Sequence, residues 1–146
     1  MDNNQIETIP PDTPVSPEDF DYGSIYNSTT EKLLVYGDKK PGETKDNSLW
    51  VLDKEARTKI RFDCDGLFVP KDRKFVIGDT WHHGPVMIKY YDGQIAIIGQ
   101  DGDQYVEKRV RPYGDSGKVY KKGELNWPFP EDTTSADIQK MDAEII

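Results

Sequence analysis

Val86-Met87-Ile88-Lys89-Tyr90-Tyr91-Asp92-Gly93-Gln94-Ile95-Ala96-Ile97-Ile98 is the stretch whose reading decides the fold class. Two runs rich in β-branched and aromatic residues flank a single Asp-Gly pair. Each run is shorter than an ordinary buried helix, so both read as strands. Asp-Gly tolerates the positive φ angles of a type I′ turn, whose twist matches that of paired strands. The stretch therefore predicts a hairpin of residues 86–91 and 94–98. A longer turn at residues 99–103 then leads into a third strand at 105–111, completing an antiparallel meander.

Working outward, the same signals recur. Leu33-Leu34-Val35-Tyr36 is a short strand ended by Gly37, and the polar loop 38–47 contains the turn pair Pro41-Gly42. Residues 49–52 and 59–62 are further strands, the latter alternating Ile60 and Phe62 against Arg61. Residues 67–69 and 74–77 flank a turn at 70–73. Residues 118–121 add an edge strand whose lysines discourage pairing with strangers. About nine short strands spread over residues 24–122 predict a mainly β chain, with a small antiparallel sandwich or barrel-like body. Trp50, Phe62, Phe68, Phe75 and Trp81 are its aromatic core candidates.

The two ends differ from this body. Residues 1–23 read as an extended, Pro-rich arm, because Pro10, Pro11, Pro14 and Pro17 favour polyproline II over helix or central strand. Ile6, Ile9, Val15, Phe20 and Tyr22 are scattered along it as apolar anchors without helical period. Residues 123–146 form an acidic C-terminal segment. Trp127-Pro128-Phe129-Pro130 is extended, and Thr134 or Ser135 caps a short helix from residue 136 to about residue 144. Ile138, Met141 and Ile145 recur as one apolar stripe, through which so short a helix must pack to be stable.

Of the 146 residues, 32% are charged and the net charge is −8. Position matters more than the sum. Residues 1–31 hold seven acids and no Lys or Arg, and residues 123–146 hold six acids and Lys140. Residues 32–122 hold 14 acids and 18 bases, so a body of +4 lies between ends of −7 and −5. Such asymmetry marks the tails as interaction segments. No run approaches the ~20 apolar residues of a spanning helix, and residues 1–11 lack the basic start and apolar stretch of a secretory signal. A cytoplasmic location, or one inside an assembled particle, is the expectation. The single cysteine, Cys64, leaves no internal disulfide framework.

Four places could carry chemistry. His82 and His83 adjoin Trp81, but neighbours on a strand point to opposite faces, so a loop is the simpler reading of 81–85. Asp63-Cys64-Asp65-Gly66 reads as a turn, and its carboxylates would raise the thiol pKa rather than activate it. Gly99-Gln100-Asp101-Gly102-Asp103 lacks the lysine and helix start of a phosphate loop. Lys108, Arg109, Arg111, Lys118, Lys121 and Lys122, interleaved with Tyr113 and Tyr120, suit a solvated strand edge or a dock for an acidic tail better than nucleic acid. No cofactor and no metal site is expected.

These features point first to a non-catalytic structural or interaction subunit of a larger assembly, such as a viral particle. It would dock through its N-terminal arm and C-terminal segment. Binding would involve Ile6, Ile9, Val15, Phe20, Tyr22, Arg109, Arg111, Lys121, Lys122, Trp127 and Phe129, with protein partners that include other copies of the chain. Nucleic acid and membrane are not expected partners. An acidic inhibitor or immunity-type protein that binds a basic partner is the alternative. A small hydrolase using His82 or His83 comes third.

Overall fold

The computed structural model describes residues 22–38, 48–59, 62–111 and 115–146. The arm and its anchors Ile6, Ile9, Val15 and Phe20, the Pro41-Gly42 turn and Tyr113 lie outside these residues. The described chain runs β1 (Ser24–Asn27), β2 (Leu33–Asp38), β3 (Ser48–Leu52), β4 (Asp63–Val69), β5 (Lys74–Ile77), β6 (Thr80–His83), β7 (Val86–Lys89), β8 (Ile95–Asp101), β9 (Gln104–Arg111), β10 (Lys118–Tyr120) and α1 (Ser135–Gln139). The strands form two five-stranded sheets. Sheet A has the order β1-β8-β9-β5-β6 and sheet B the order β10-β7-β4-β2-β3. Pairing is antiparallel except for β1 with β8 and β5 with β9. The mainly β sandwich expected from the sequence is what the chain forms.

The predicted hairpin at Asp92-Gly93 does not form. β7 pairs with β4 and β10 in sheet B, whereas β8 pairs with β1 and β9 in sheet A. Asp-Gly serves instead as a corner between sheets: Gly93 takes φ +84°, and its N–H donates to the Tyr22 carbonyl at 3.2 Å. Local turn chemistry admits a hairpin or a corner alike, and burial of both flanking strands on opposite walls of one core decides the matter. The hairpin lies one strand later. β8 and β9 pair antiparallel as the meander expected, joined not by a longer turn at 99–103 but by the two-residue loop Gly102-Asp103, with positive φ at Gly102 alone, as a type II′ turn requires.

Three other expectations are corrected. Residues 63–66 are the start of central strand β4, not a turn; a Cβ at Gly66 would lie 2.0 Å from the Ile88 carbonyl oxygen of neighbouring β7. Residues 80–83 form β6 rather than a loop, and Trp81 is 53% exposed rather than in the core. The expected strand at 59–62 falls partly outside the described residues. Its ends close a turn, in which the Phe62 N–H donates to the Lys59 carbonyl at 2.9 Å.

The main core lies between the sheets. Sheet B contributes Leu33, Val35, Leu67, Val69, Val86 and Ile88; sheet A contributes Ile25, Phe75, Ala96, Ile98 and Tyr105. A second cluster lies on the other side of sheet B, where Leu34, Tyr36, Val51, Phe68 and Met87 meet Ile138, Trp127 and Phe129 of the C-terminal segment. β2 is thus buried on both faces, which explains its unbroken apolar run. The molecule has three layers: sheet A, sheet B, and a C-terminal strap.

The strap is tied along its length. The Trp127 ring lies 4.6 Å from that of Tyr36, and Phe129 meets Phe68 edge-on at 5.5 Å. The Asp72 carboxylate accepts from the Ser135 N–H at 2.8 Å and from its hydroxyl at 2.6 Å. The Lys32 ammonium donates to the Met141 carbonyl at 2.7 Å. Glu144 then exchanges bonds with Val51 at the edge strand β3, and Ile146 enters the main core. Thr134 caps α1 as anticipated, in a capping box with Asp137, but the helix ends at Gln139. The expected stripe is therefore not built: Ile138 is fully buried, whereas Met141 and Ile145 are exposed.

Candidate interaction surface

Sheet B has no bare face, because the strap covers its outside. The outer side of sheet A has no such layer among the described residues. Its composition follows from register, since residues opposite one another in a ladder project to the same side. Phe75 and Tyr105 point into the core, so Val76 and Val106 point out. The row across the sheet is Gly99, Val106, Val76 and Trp81. The next row is Asp101, Gln104, Lys74 and His83. Toward the other end lie the row Tyr26, Ile97, Arg109 and the row Ser24, Ile95, Arg111, in which Ser24 and Ile95 are buried.

A bulge in β9 gives this face its charge. Pairing runs Ile97 to Arg109 and Ile98 to Glu107, leaving Lys108 as an extra residue. Strict alternation from Glu107, whose carboxylate accepts from the core Tyr90 hydroxyl at 2.7 Å, would turn Arg109 inward and Val110 outward. The inserted residue reverses that parity. Val110 packs on the core, and Arg109 and Arg111 join Lys108 outside. Gly99 leaves room beneath the Lys108 stem; a Cβ there would lie 2.6 Å from Lys108 Cε. Arg57 adds a further cation beside β1, bridged to Tyr26, with its Nε donating to the Ser24 hydroxyl at 3.1 Å.

At the β6 edge the Lys74 ammonium lies 5.2 Å from the centre of the Trp81 ring, and the His83 imidazole meets that ring edge-on at 4.9 Å. The face thus carries exposed Trp81, half-buried Tyr26, Ile97, Val76 and Val106, the cations Arg57, Lys74, Lys108, Arg109 and Arg111, and the acid Asp101, with Lys74 paired to Asp103 at 3.9 Å. Aromatic anchors beside arginines on a rigid sheet are the composition of protein-binding surfaces.

The other anticipated residues scatter. Lys121 and Lys122 follow β10 on sheet B, and Lys122 is paired with Glu131 of the strap. Trp127 and Phe129 are half-buried against the chain's own sheet B. Tyr22 lies where the described chain begins, its carbonyl held by Gly93. His82 faces the Phe75 side of sheet A and His83 the outer side, so the imidazoles diverge as strand alternation requires. Cys64 is buried, and its thiol pKa is pushed well up, first by burial and then by Asp65 and Asp63. The outer face itself was hidden in the sequence. Arg109 and Arg111 were visible, but their union with Tyr26, Val76 and Trp81 depends on strand order and on the bulge.

One acidic cluster lies apart. Carboxylate oxygens of Asp63, Asp65 and Asp92 come within 4.8 Å of one another near the Asp92-Gly93 corner. Oxygens at this spacing can share a hard cation or a proton. Asp63 Oδ1 is buried without a hydrogen bond, and the Asp63 pKa is pushed up to about 6, first by burial and then by Asp92.

No family model, no curated protein and no solved structure matches the chain.

Proposed function

We propose that the protein is a non-catalytic interaction subunit of a larger assembly, and that it binds a protein partner through the outer face of sheet A. The observation carrying this reading is the unequal treatment of the two sheets. The chain devotes its C-terminal third layer to sheet B, yet among the described residues no such layer lies over Trp81, Tyr26, Ile97, Val76 and Val106 on sheet A. Large aromatics among arginines are the usual energetic centres of interfaces. The hydrolase alternative draws less support, since His82 and His83 diverge. The acidic-inhibitor alternative is weakened because the face in question is basic.

A photo-crosslinking residue, p-benzoylphenylalanine, placed at Trp81 in the full chain and irradiated in its native cells tests this reading. A discrete protein adduct is expected at position 81, and none with the same residue at exposed Asp132 on the strap side. Absence of an adduct at 81, or equal adducts at both positions, would overturn it.

A further inference from the structure

We propose that β6 is a docking edge, onto which β6 of a second copy of this chain adds as an antiparallel strand about a two-fold axis. The inference goes beyond the outer-face reading, because it uses the backbone of the edge strand rather than the side chains of that face. Each sheet ends in two edges, and three of the four are guarded. Residues 55–58 line β1, where the Asn27 N–H donates to the Ala56 carbonyl at 2.9 Å and the Thr58 N–H to the Ile25 carbonyl at 3.0 Å. Glu144 lines β3: its N–H donates to the Val51 carbonyl and its carboxylate accepts from the Val51 N–H, both at 2.9 Å. β10 is short, carries Lys118 and is followed by Lys121, and lysines are a common guard of edges. β6, Thr80-Trp81-His82-His83, has no lysine, no proline and no bulge.

The bonds on the β5 side identify the open groups. The Gly84 N–H donates to the Arg73 carbonyl at 2.9 Å, so Gly84 turns its backbone toward β5. The Lys74 N–H donates to the Asp103 carbonyl at 3.0 Å, away from β6, so Lys74 and His83 are a non-hydrogen-bonded pair. Alternation then turns His82 and Thr80 toward β5, and His83 and Trp81 toward the edge. Among the described residues nothing bonds to the N–H and C=O groups that Trp81 and His83 present there. Unpaired groups of this kind are a template for another strand.

The edge is complementary to itself. A two-fold axis normal to the sheet preserves its two sides, so Trp81, on the outer side, can face only Trp81 or His83 of the other copy. Facing Trp81 would leave His83 opposite Asp79, in the loop before β6, and complete one pair. Facing His83 completes two: each Trp81 exchanges both backbone bonds with His83 of the other copy, and His82 meets His82 on the axis. Side chains agree with this register. The strand holds no acid, Lys or Arg, so two copies meet without opposing fixed charges. Trp81 gains from the second copy the partner type it already meets edge-on in its own chain, a His83 imidazole. Trp81, 53% exposed, is then covered, and the two copies of sheet A join as one continuous sheet.

Light scattering on the full chain over a concentration series tests the pairing. The mass should rise from monomer to dimer and stop there. His83→Pro removes an outward N–H while sparing the bonds to β5, and should weaken association by about tenfold or more. Trp81→Lys places a guard on the same edge and should act alike, so the test survives if one variant fails to fold. Cysteines test the register, with native Cys64 buried. His82→Cys faces its own counterpart at a Cα separation of ~4.5 Å and should form a covalent dimer with oxidised glutathione. His83→Cys should not, because its counterpart lies beyond about 7 Å. A wild type that stays monomeric or grows past the dimer would overturn the inference. So would folded edge variants that associate as the wild type does, or equal covalent dimer from both cysteine variants. A monomeric wild type would leave an adduct between position 81 and a different protein untouched, so the two readings fail separately.

Discussion

Asp63 shows how one side chain can oppose the fold that holds it. β4 places it beside Asp65, and the corner after β7 brings Asp92 onto the same spot. Burial and the neighbouring carboxylates raise its pKa to about 6, above the ordinary value of a free aspartate. The sign follows directly. A carboxyl that holds its proton more tightly when folded stabilises the fold at low pH, and that stabilisation is lost as pH rises from about 4 to about 6. Asp63→Asn should remove this loss. Because the side chain is only half-buried, solvent screening reduces the expected gain at pH 7 to about 1 kcal/mol. Urea unfolding of both proteins across pH 4–7 checks it: the stability difference should grow with pH and level off above 6. A difference that is flat with pH would contradict the assignment.

At the scale of elements, the strap makes a sharper demand. Only the first residue of the apolar stripe reaches the sheet, so the side chains of one short helix should differ widely in worth. Ile138→Ala should cost about 2–4 kcal/mol, as for a fully buried aliphatic, whereas Met141→Ala should cost less than about 0.5 kcal/mol. Chemical denaturation distinguishes them, and equal costs would mean that the helix packs along its whole stripe. Elements defined by their own residues were legible beforehand: β2 from its unbroken apolar run, β10 from its lysine-flanked edge, the Thr134 cap from its side chain. What stayed hidden was pairing. Asp92-Gly93 has all the local chemistry of a hairpin and makes a corner, because only the whole chain determines which wall each strand joins. β6 escaped notice because Thr-Trp-His-His carries no alternation, and its existence depends on pairing with β5. The union of Arg109 and Arg111 with Trp81 required both the strand order and a one-residue bulge.

For the whole molecule, the charge division visible in the sequence acquires a geometry. The acidic C-terminal segment is the third layer of its own body, tied by Lys32, Asp72 and Lys122. Lys108, Arg109 and Arg111 of the middle segment stand on the outer face of sheet A with Asp101, on the side away from the strap. Photo-crosslinking of the full chain from position 81, with position 132 as the control, tests binding through this face most directly. A discrete protein adduct is expected at position 81 and none at position 132. No adduct at position 81, or equal adducts at both positions, would contradict an interface on the outer face of sheet A.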